Sequence, residues 1–130
     1  MPRYMLLIYA PAESGPSPSP EEMAAQHERW NDYTQSLVDA GAMLGGDQLH
    51  DVESATTVRG GDGETQIIDG PFAETKEFLA GYYMLECPDL DAALAHAGRA
   101  PIIGSGAVEV RPIVEREAVA AGAGEEQAQA

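Results

Sequence analysis

Residues 78–87 read Phe-Leu-Ala-Gly-Tyr-Tyr-Met-Leu-Glu-Cys. Successive side chains of a strand point to opposite faces. Phe78, Ala80, Tyr82 and Met84 therefore share one face, and Leu79, Gly81, Tyr83 and Leu85 share the other. Both faces are apolar, so this strand belongs inside a sheet rather than at its edge. What the flanking segments can place over its two faces decides the fold.

On the C-terminal side, Asp89 to Arg99 predicts a helix with Leu90, Ala93, Leu94 and Ala97 as its apolar stripe. Ala107 to Val114 predicts the last strand, with Val108 and Val110 on one face and Glu109 and Arg111 on the other. On the N-terminal side, Ser54–Arg59 and Glu64–Asp69 read as the arms of a hairpin around Gly60-Gly61-Asp62-Gly63. Ala42–Leu49 reads as a strand weakened by Gly45 and Gly46. Before it lies a strong helix signal. Ser19 is placed to cap, Pro20 suits the first helical position, Glu22 completes a capping box, and Gly41 ends the helix. Met23, His27, Trp30, Thr34, Leu37 and Val38 fall on one side of that helix. Arg3–Ala10 is a short apolar strand ended by Pro11, followed by a Pro/Ser/Gly loop to Pro18.

The resulting order is β-α-β-β-β-β-α-β. Right-handed crossovers put both helices on one face of a mostly antiparallel sheet, as in a ferredoxin-like α+β sandwich. Nothing in the chain is left to cover the other face, although the strands carry apolar residues there. That face calls for a second copy, so the expectation is a homodimer with a cavity near the contact between the sheets. Residues 1–117 form the expected domain. Residues 118–130 contain no large apolar group beyond Val119 and read as a disordered acidic and Ala/Gly tail.

The formal charge is −15, with only seven Lys and Arg, scattered along the chain. Nucleic acid and anionic membrane surfaces need a basic patch, so neither is an expected partner. A single cysteine, Cys87, precludes an internal disulfide and reads as a small core residue. No signal-peptide pattern opens the chain, and no apolar run approaches the ~20 residues of a membrane span. The expected location is the cytoplasm.

The segment Asp69-Gly70-Pro71-Phe72-Ala73-Glu74-Thr75-Lys76-Glu77 joins two strands and is the most distinctive in the chain. An Asp in a turn usually accepts from the N–H two residues on. Here that residue is Pro71, which has none. The Asp69 carboxylate must seek another donor, water or a ligand, while Phe72 is expected to anchor the turn by burial. The bland reading is a rigid turn with a solvated charged face. The sharper one is the rim of a site.

This segment resembles the signature of the DGPF group within the YCII-related protein family. Arg3-Tyr4-Met5-Leu6-Leu7-Ile8-Tyr9, Ser19-Pro20-Glu21-Glu22-Met23, Ala55-Thr56-Thr57-Val58-Arg59, Asp89-Leu90-Asp91-Ala92-Ala93-Leu94 and Gly106-Ala107-Val108-Glu109-Val110-Arg111-Pro112 extend the resemblance. It implies a dimeric α+β barrel of ferredoxin-like subunits. In some members of the broader family a helix His and a cleft Asp imply an enzyme. Those positions correspond here to Trp30 and to Ala100 beside Pro101, so that dyad does not carry over. Members of the DGPF group are often encoded beside extracytoplasmic-function sigma factors, which implies a functional link to stress signalling.

Asp69 and His27 are the candidate acid/base residues, since an imidazole with an ordinary pKa near 6.5 can take or give a proton. Against this, a His on an apolar stripe is more often a hydrogen-bonded core or interface residue. Arg111, Arg59, Tyr82, Phe72 and Lys76 are the candidate ligand-binding residues, of which Arg111 has a structural alternative as the partner of a Glu. No cofactor is expected. His27-Glu28 lacks the second His of a zinc-protease helix, His50 and His96 have no ligand spacing, and no metal site is expected. The glycine clusters fit neither a dinucleotide cradle nor a phosphate loop. Three functions remain: a small-molecule enzyme or binding protein with a cavity bordered by Asp69, His27 and Arg111, an interaction or regulatory module tied to sigma-factor signalling, and a structural dimer. The first leads.

Overall fold

The computed structural model describes residues 1–12, 17–73 and 75–116. Its strands and helices are β1 (Arg3–Pro11), α1 (Pro20–Asp39), β2 (Met43–Gln48), β3 (Thr56–Gly61), β4 (Glu64–Asp69), β5 (Glu77–Glu86), α2 (Leu90–Gly98) and β6 (Ala107–Pro112). The order is the one the sequence predicts, with a short 3₁₀ turn at Val52–Ser54 added between β2 and β3. The tail assigned to 118–130 lies outside the described residues.

Four strands form one antiparallel sheet in the order β2-β5-β1-β6. The doubly apolar β5 is interior, as its composition requires. The predicted hairpin forms as a ribbon of its own, β3 paired only with β4. Both helices pack on one face of the four-stranded sheet, giving an α+β fold.

The ends of α1 follow from local chemistry. Ser19 Oγ accepts from the Glu22 N–H at 3.1 Å, and Pro20 occupies the first turn, where its missing N–H costs nothing. Past the last turn, Gly41 takes φ +71°, which a side chain would resist. Asp89 caps α2 in the same way, accepting from the Ala92 N–H at 2.9 Å.

Tyr4, Leu6, Leu85 and Cys87 of the sheet side meet Tyr33 and Leu37 of α1 and Ala93 and Ala97 of α2. Two predicted stripes need correction. On α1, Met23, His27 and Val38 are exposed, while Tyr33 is buried. Only the C-terminal half of α1 lies against the sheet, along the 30, 33, 34, 37 spacing, and residues 20–29 stand clear of it. On α2, Leu90 and Leu94 are exposed, and the small residues Ala93 and Ala97 face inward. Small side chains let the helix backbone sit close to the sheet.

The opposite sheet face carries Met5, Leu7 and Tyr9 of β1, Tyr82 and Met84 of β5, and Glu109 and Arg111 of β6. No helix covers it. A bulge interrupts its alternation: Ile8 pairs with Gly81, but Tyr9 pairs with Leu79, leaving Ala80 as the extra residue. Strict alternation predicts Leu79 on the helix side, together with Gly81. The bulge sets it beside Tyr9 instead.

Candidate functional site

The Asp69–Glu77 turn is held at both ends by main-chain bonds. Gly70, at φ +107°, donates its N–H to Ala55 O at 2.7 Å, and its carbonyl accepts from Thr57 Oγ1 at 2.8 Å. At the far end, Ala12 N–H donates to Lys76 O at 2.7 Å, which ties the return of the turn to the end of β1. Phe72 is not anchored by burial, contrary to the sequence expectation. It is 71% exposed, and the Arg59 guanidinium carbon sits 4.8 Å from its ring centroid. Pro71 stiffens the chain just before it and Arg59 of the hairpin covers its ring, so the ring can stand out without the core's help.

The turn, the segment between β2 and β3, and the end of the sheet enclose an open cleft of about 550 Å³. Tyr9, Leu49, Phe72, Phe78 and Leu79 supply its apolar surface, together with Val52, Ala55, Pro71 and Ala73. His50, Asp51, Ser54, Thr56, Thr57, Thr75 and Glu77 bring polar groups to the same wall. A smaller depression of about 330 Å³ shares Val52, Pro71, Ala73, Thr75 and Phe78 and adds Ala12 and Glu53. The bulge at Ala80 shapes this site, because it turns Leu79 toward Tyr9 and into the cleft.

Of the sequence-predicted residues, Phe72 lines the cleft. Asp69 is exposed at the end of β4, opposite Thr56, and stands outside the lining. His27 is exposed on the overhanging half of α1 and belongs neither to the helix-facing core nor to the cleft. Arg59 stacks on Phe72 and is not itself part of the cleft lining. Lys76 contributes its carbonyl to β1 and lies between two residues that face the cleft, Thr75 and Glu77.

Tyr82 and Arg111 sit together on the uncovered sheet face. Arg111 Nε donates to Glu109 Oε2 at 3.0 Å, and Glu109 also accepts from the Tyr9 hydroxyl at 3.3 Å. The hydrogen bond and charge of Glu109 raise the Arg111 pKa. Arg111 is thus the partner of a Glu. The Tyr82 hydroxyl donates to Asp47 Oδ2 at 3.3 Å.

The sequence reading passed over His50, Asp51 and Glu77 as cleft residues. One signal was present: His50-Asp51 sits in a short polar link between two strands, where side chains are free to face a groove. His50 has no spacing partner in the sequence, and only the fold brings the 49–57 link to the Asp69–Glu77 turn.

Cys87 is buried, and burial first, then the charge of Asp89, pushes its thiol pKa up. A thiol held protonated in this way is a poor nucleophile. Among the described residues, no three His, Cys, Asp or Glu side chains come together as a metal site. No described helix is long and apolar enough to cross a membrane.

An uncharacterised protein of Rhizobium meliloti (strain 1021) is 42% identical to the chain over 83 residues. That match takes in 61% of this chain and 65% of the relative, so the chain spans a little under two thirds of the relative's length. A family model for the YCII-related domain matches residues 2–117, which take in the sheet, both helices, the hairpin and the cleft. The chain therefore belongs to the YCII-related family.

Proposed function

We propose that the chain binds a small molecule in the cleft under its Asp69–Glu77 turn, and that it works as a homodimer of ferredoxin-like subunits joined through their uncovered sheet faces. The observation that carries the first part is the cleft itself. It joins an aromatic and aliphatic wall to a few polar groups, the usual build of a small-molecule site. Its turn is fixed by the Gly70 bonds to Ala55 and Thr57, so the wall is formed in advance of any ligand.

The dimer has separate support. The strand order β2-β5-β1-β6 with both helices on one side leaves Met5, Leu7 and Met84 without cover on the other. On the hairpin, the cross-strand neighbours Val58 and Ile67 are 62% and 72% exposed. A bare two-stranded ribbon of this kind is weak on its own and gains from packing against a partner.

If the bound molecule reacts, the proton-transfer groups at hand are His50, Asp51 and Glu77, since His27 and Asp69 lie outside the cleft wall.

A fragment screen followed by NMR tests the site. Small aromatic fragments should perturb the amides of residues 49–57 and 71–79 and leave α1 unchanged. Ala73→Trp, which places an indole across the cleft, should abolish those shifts while the protein stays folded. Fragments that bind only elsewhere, or that bind the Trp variant equally well, would remove the cleft from consideration.

A further inference from the structure

We infer that the cleft selects organic cations, small amines carrying an aromatic or branched aliphatic body. This rests on the small-molecule reading above and specifies the ligand's charge.

The inference comes from which charges reach the cleft and which do not. Asp51 and Glu77 line it, and Glu53 stands at the adjoining depression. None of the seven Lys and Arg in the chain does. The two nearest in sequence are Arg59, whose guanidinium carbon sits 4.8 Å from the ring centroid of Phe72, and Lys76, whose neighbours Thr75 and Glu77 line the cleft while it does not. An anion would therefore meet two carboxylates with no cation in the cleft lining to offset them, and the nearby Arg59 is already engaged on Phe72. Around them is a protein of net charge −15, whose field draws cations toward a concave site and repels anions.

The apolar wall favours the same ligand class. Tyr9, Phe72 and Phe78 present π-faces or edges to the cleft, and aromatic faces attract ammonium groups. The protein itself supplies an example, because the Arg59 guanidinium sits 4.8 Å from the Phe72 ring centroid. An amine can thus set its charge near Asp51 and Glu77 while its body covers Leu79 and Phe78. His50 on the same wall is compatible when neutral, as its ring can accept from an ammonium N–H.

Three probes of matched shape separate charge from shape: benzylamine, benzyl alcohol and benzoate, titrated into the full chain by NMR at low salt. Benzylamine should bind about tenfold more tightly than benzyl alcohol, and benzoate more weakly than either. Asp51→Asn with Glu77→Gln should erase the amine preference and leave benzyl alcohol binding intact. Glu28→Gln, on the exposed part of α1, should leave the preference unchanged. Equal binding of the three probes in the cleft would overturn the cation inference while the small-molecule site survived. A preference that persists in the double variant would overturn it too, by assigning the effect to overall charge. Failure of every probe to perturb the cleft would remove the site as well as its selectivity.

Discussion

The Tyr33 hydroxyl on α1 donates to the main-chain carbonyl of His96 on α2 at 2.6 Å, and this bond fastens the two helices to each other over the sheet. Tyr33 also stands edge-on to Trp30 and Tyr83, at ring-centroid distances of 6.0 and 5.6 Å, while those two rings stack at 6.4 Å. The Thr34 and Tyr83 hydroxyls meet at 2.6 Å beside them. Three aromatic rings and the Thr34–Tyr83 hydroxyl contact thus define where α1 rests on β5, and the Tyr33 hydroxyl sets it against α2.

Tyr33→Phe keeps the ring packing and removes only the hydroxyl. The His96 carbonyl is not orphaned, because the Arg99 N–H also donates to it at 3.2 Å. The expected loss is therefore about 1 kcal/mol, the net worth of one hydrogen bond, measured by urea denaturation. The variant also changes the response to alkali. Burial pushes the Tyr33 pKa up to about 12, against a smaller lowering by Arg99 and with a smaller rise from Tyr83. The unfolded chain ionises this group nearer 10. Its contribution is thus complete below pH 10 and is lost as pH rises toward 12, by at most about 3 kcal/mol in all. Wild type should lose stability more steeply over that range than Tyr33→Phe.

His96 predicts the opposite end of the pH scale. Its Nδ1 lies 2.9 Å from an Arg99 guanidinium nitrogen, so the neutral ring accepts and a protonated ring would face a cation. Burial first, and Arg99 second, hold its pKa below the ordinary 6.5. Unfolding lets the ring take up a proton more readily. Stability should therefore be full above pH 7 and fall as pH drops through and below 6.5. His96→Gln keeps an acceptor without a titrating ring, and should flatten the change in denaturation midpoint between pH 7 and 5. An unchanged slope would assign the pH response to other groups.

Much of this fold is legible in the sequence because its signals are local. Ser19, Pro20 and Gly41 fix α1, Gly60–Gly63 marks the hairpin, and the two apolar faces of Phe78–Cys87 place β5 inside the sheet. Where the reading fails, the missing information is relational. Helical spacing cannot say that α1 overhangs the sheet, so Met23 and His27 look inward on a wheel and are exposed in the fold. Leu90 and Leu94 mislead for a related reason: a close helix-to-sheet approach selects Ala93 and Ala97 for the inside. The Ala80 bulge is silent in the sequence, yet it decides which way Leu79 points. The site follows the same pattern. The Asp69–Glu77 turn stands out by its composition, but the wall across from it comes from residues 49–57, and no spacing rule connects them.

Gly45 and Gly46 are adjacent in β2 and should respond differently to the same substitution. A Cβ on Gly46 would fall 2.5 Å from the Tyr82 carbonyl oxygen and 3.0 Å from the Tyr83 Cα, both backbone atoms that cannot turn aside. A Cβ on Gly45 meets nothing within 4 Å. Gly46→Ala should cost about 1–3 kcal/mol by pushing β2 off β5. Gly45→Ala should be close to neutral, since an added methyl in open space displaces nothing. Thermal melts of the pair settle the matter, and equal losses would place the sensitivity in β2 as a whole rather than in its contact with Tyr82.

Leu7 tests the proposed pairing of two copies. It lies mid-strand on the uncovered face, paired with Tyr82 of β5 on one side and Glu109 of β6 on the other. Inside one subunit, a Glu there is half-exposed, faces no described helix and meets the like charge of Glu109 across the strand pair, a cost of about 0.2–1 kcal/mol that the fold should tolerate. Across a sheet-to-sheet contact, the same Glu would meet its own copy or the copy's Glu109 in a desolvated setting, which is costly for like charges. Leu7→Glu should therefore sediment as single subunits at micromolar concentration, with an unchanged far-ultraviolet circular dichroism spectrum, while wild type sediments at twice that mass. Phe72→Ala, on the cleft, should leave the assembly intact, which separates the dimer from the binding site. Wild type that sediments as a folded single subunit would show that Met5, Leu7 and Met84 live in water, and the pairing would have to be given up while the cleft and its test remained.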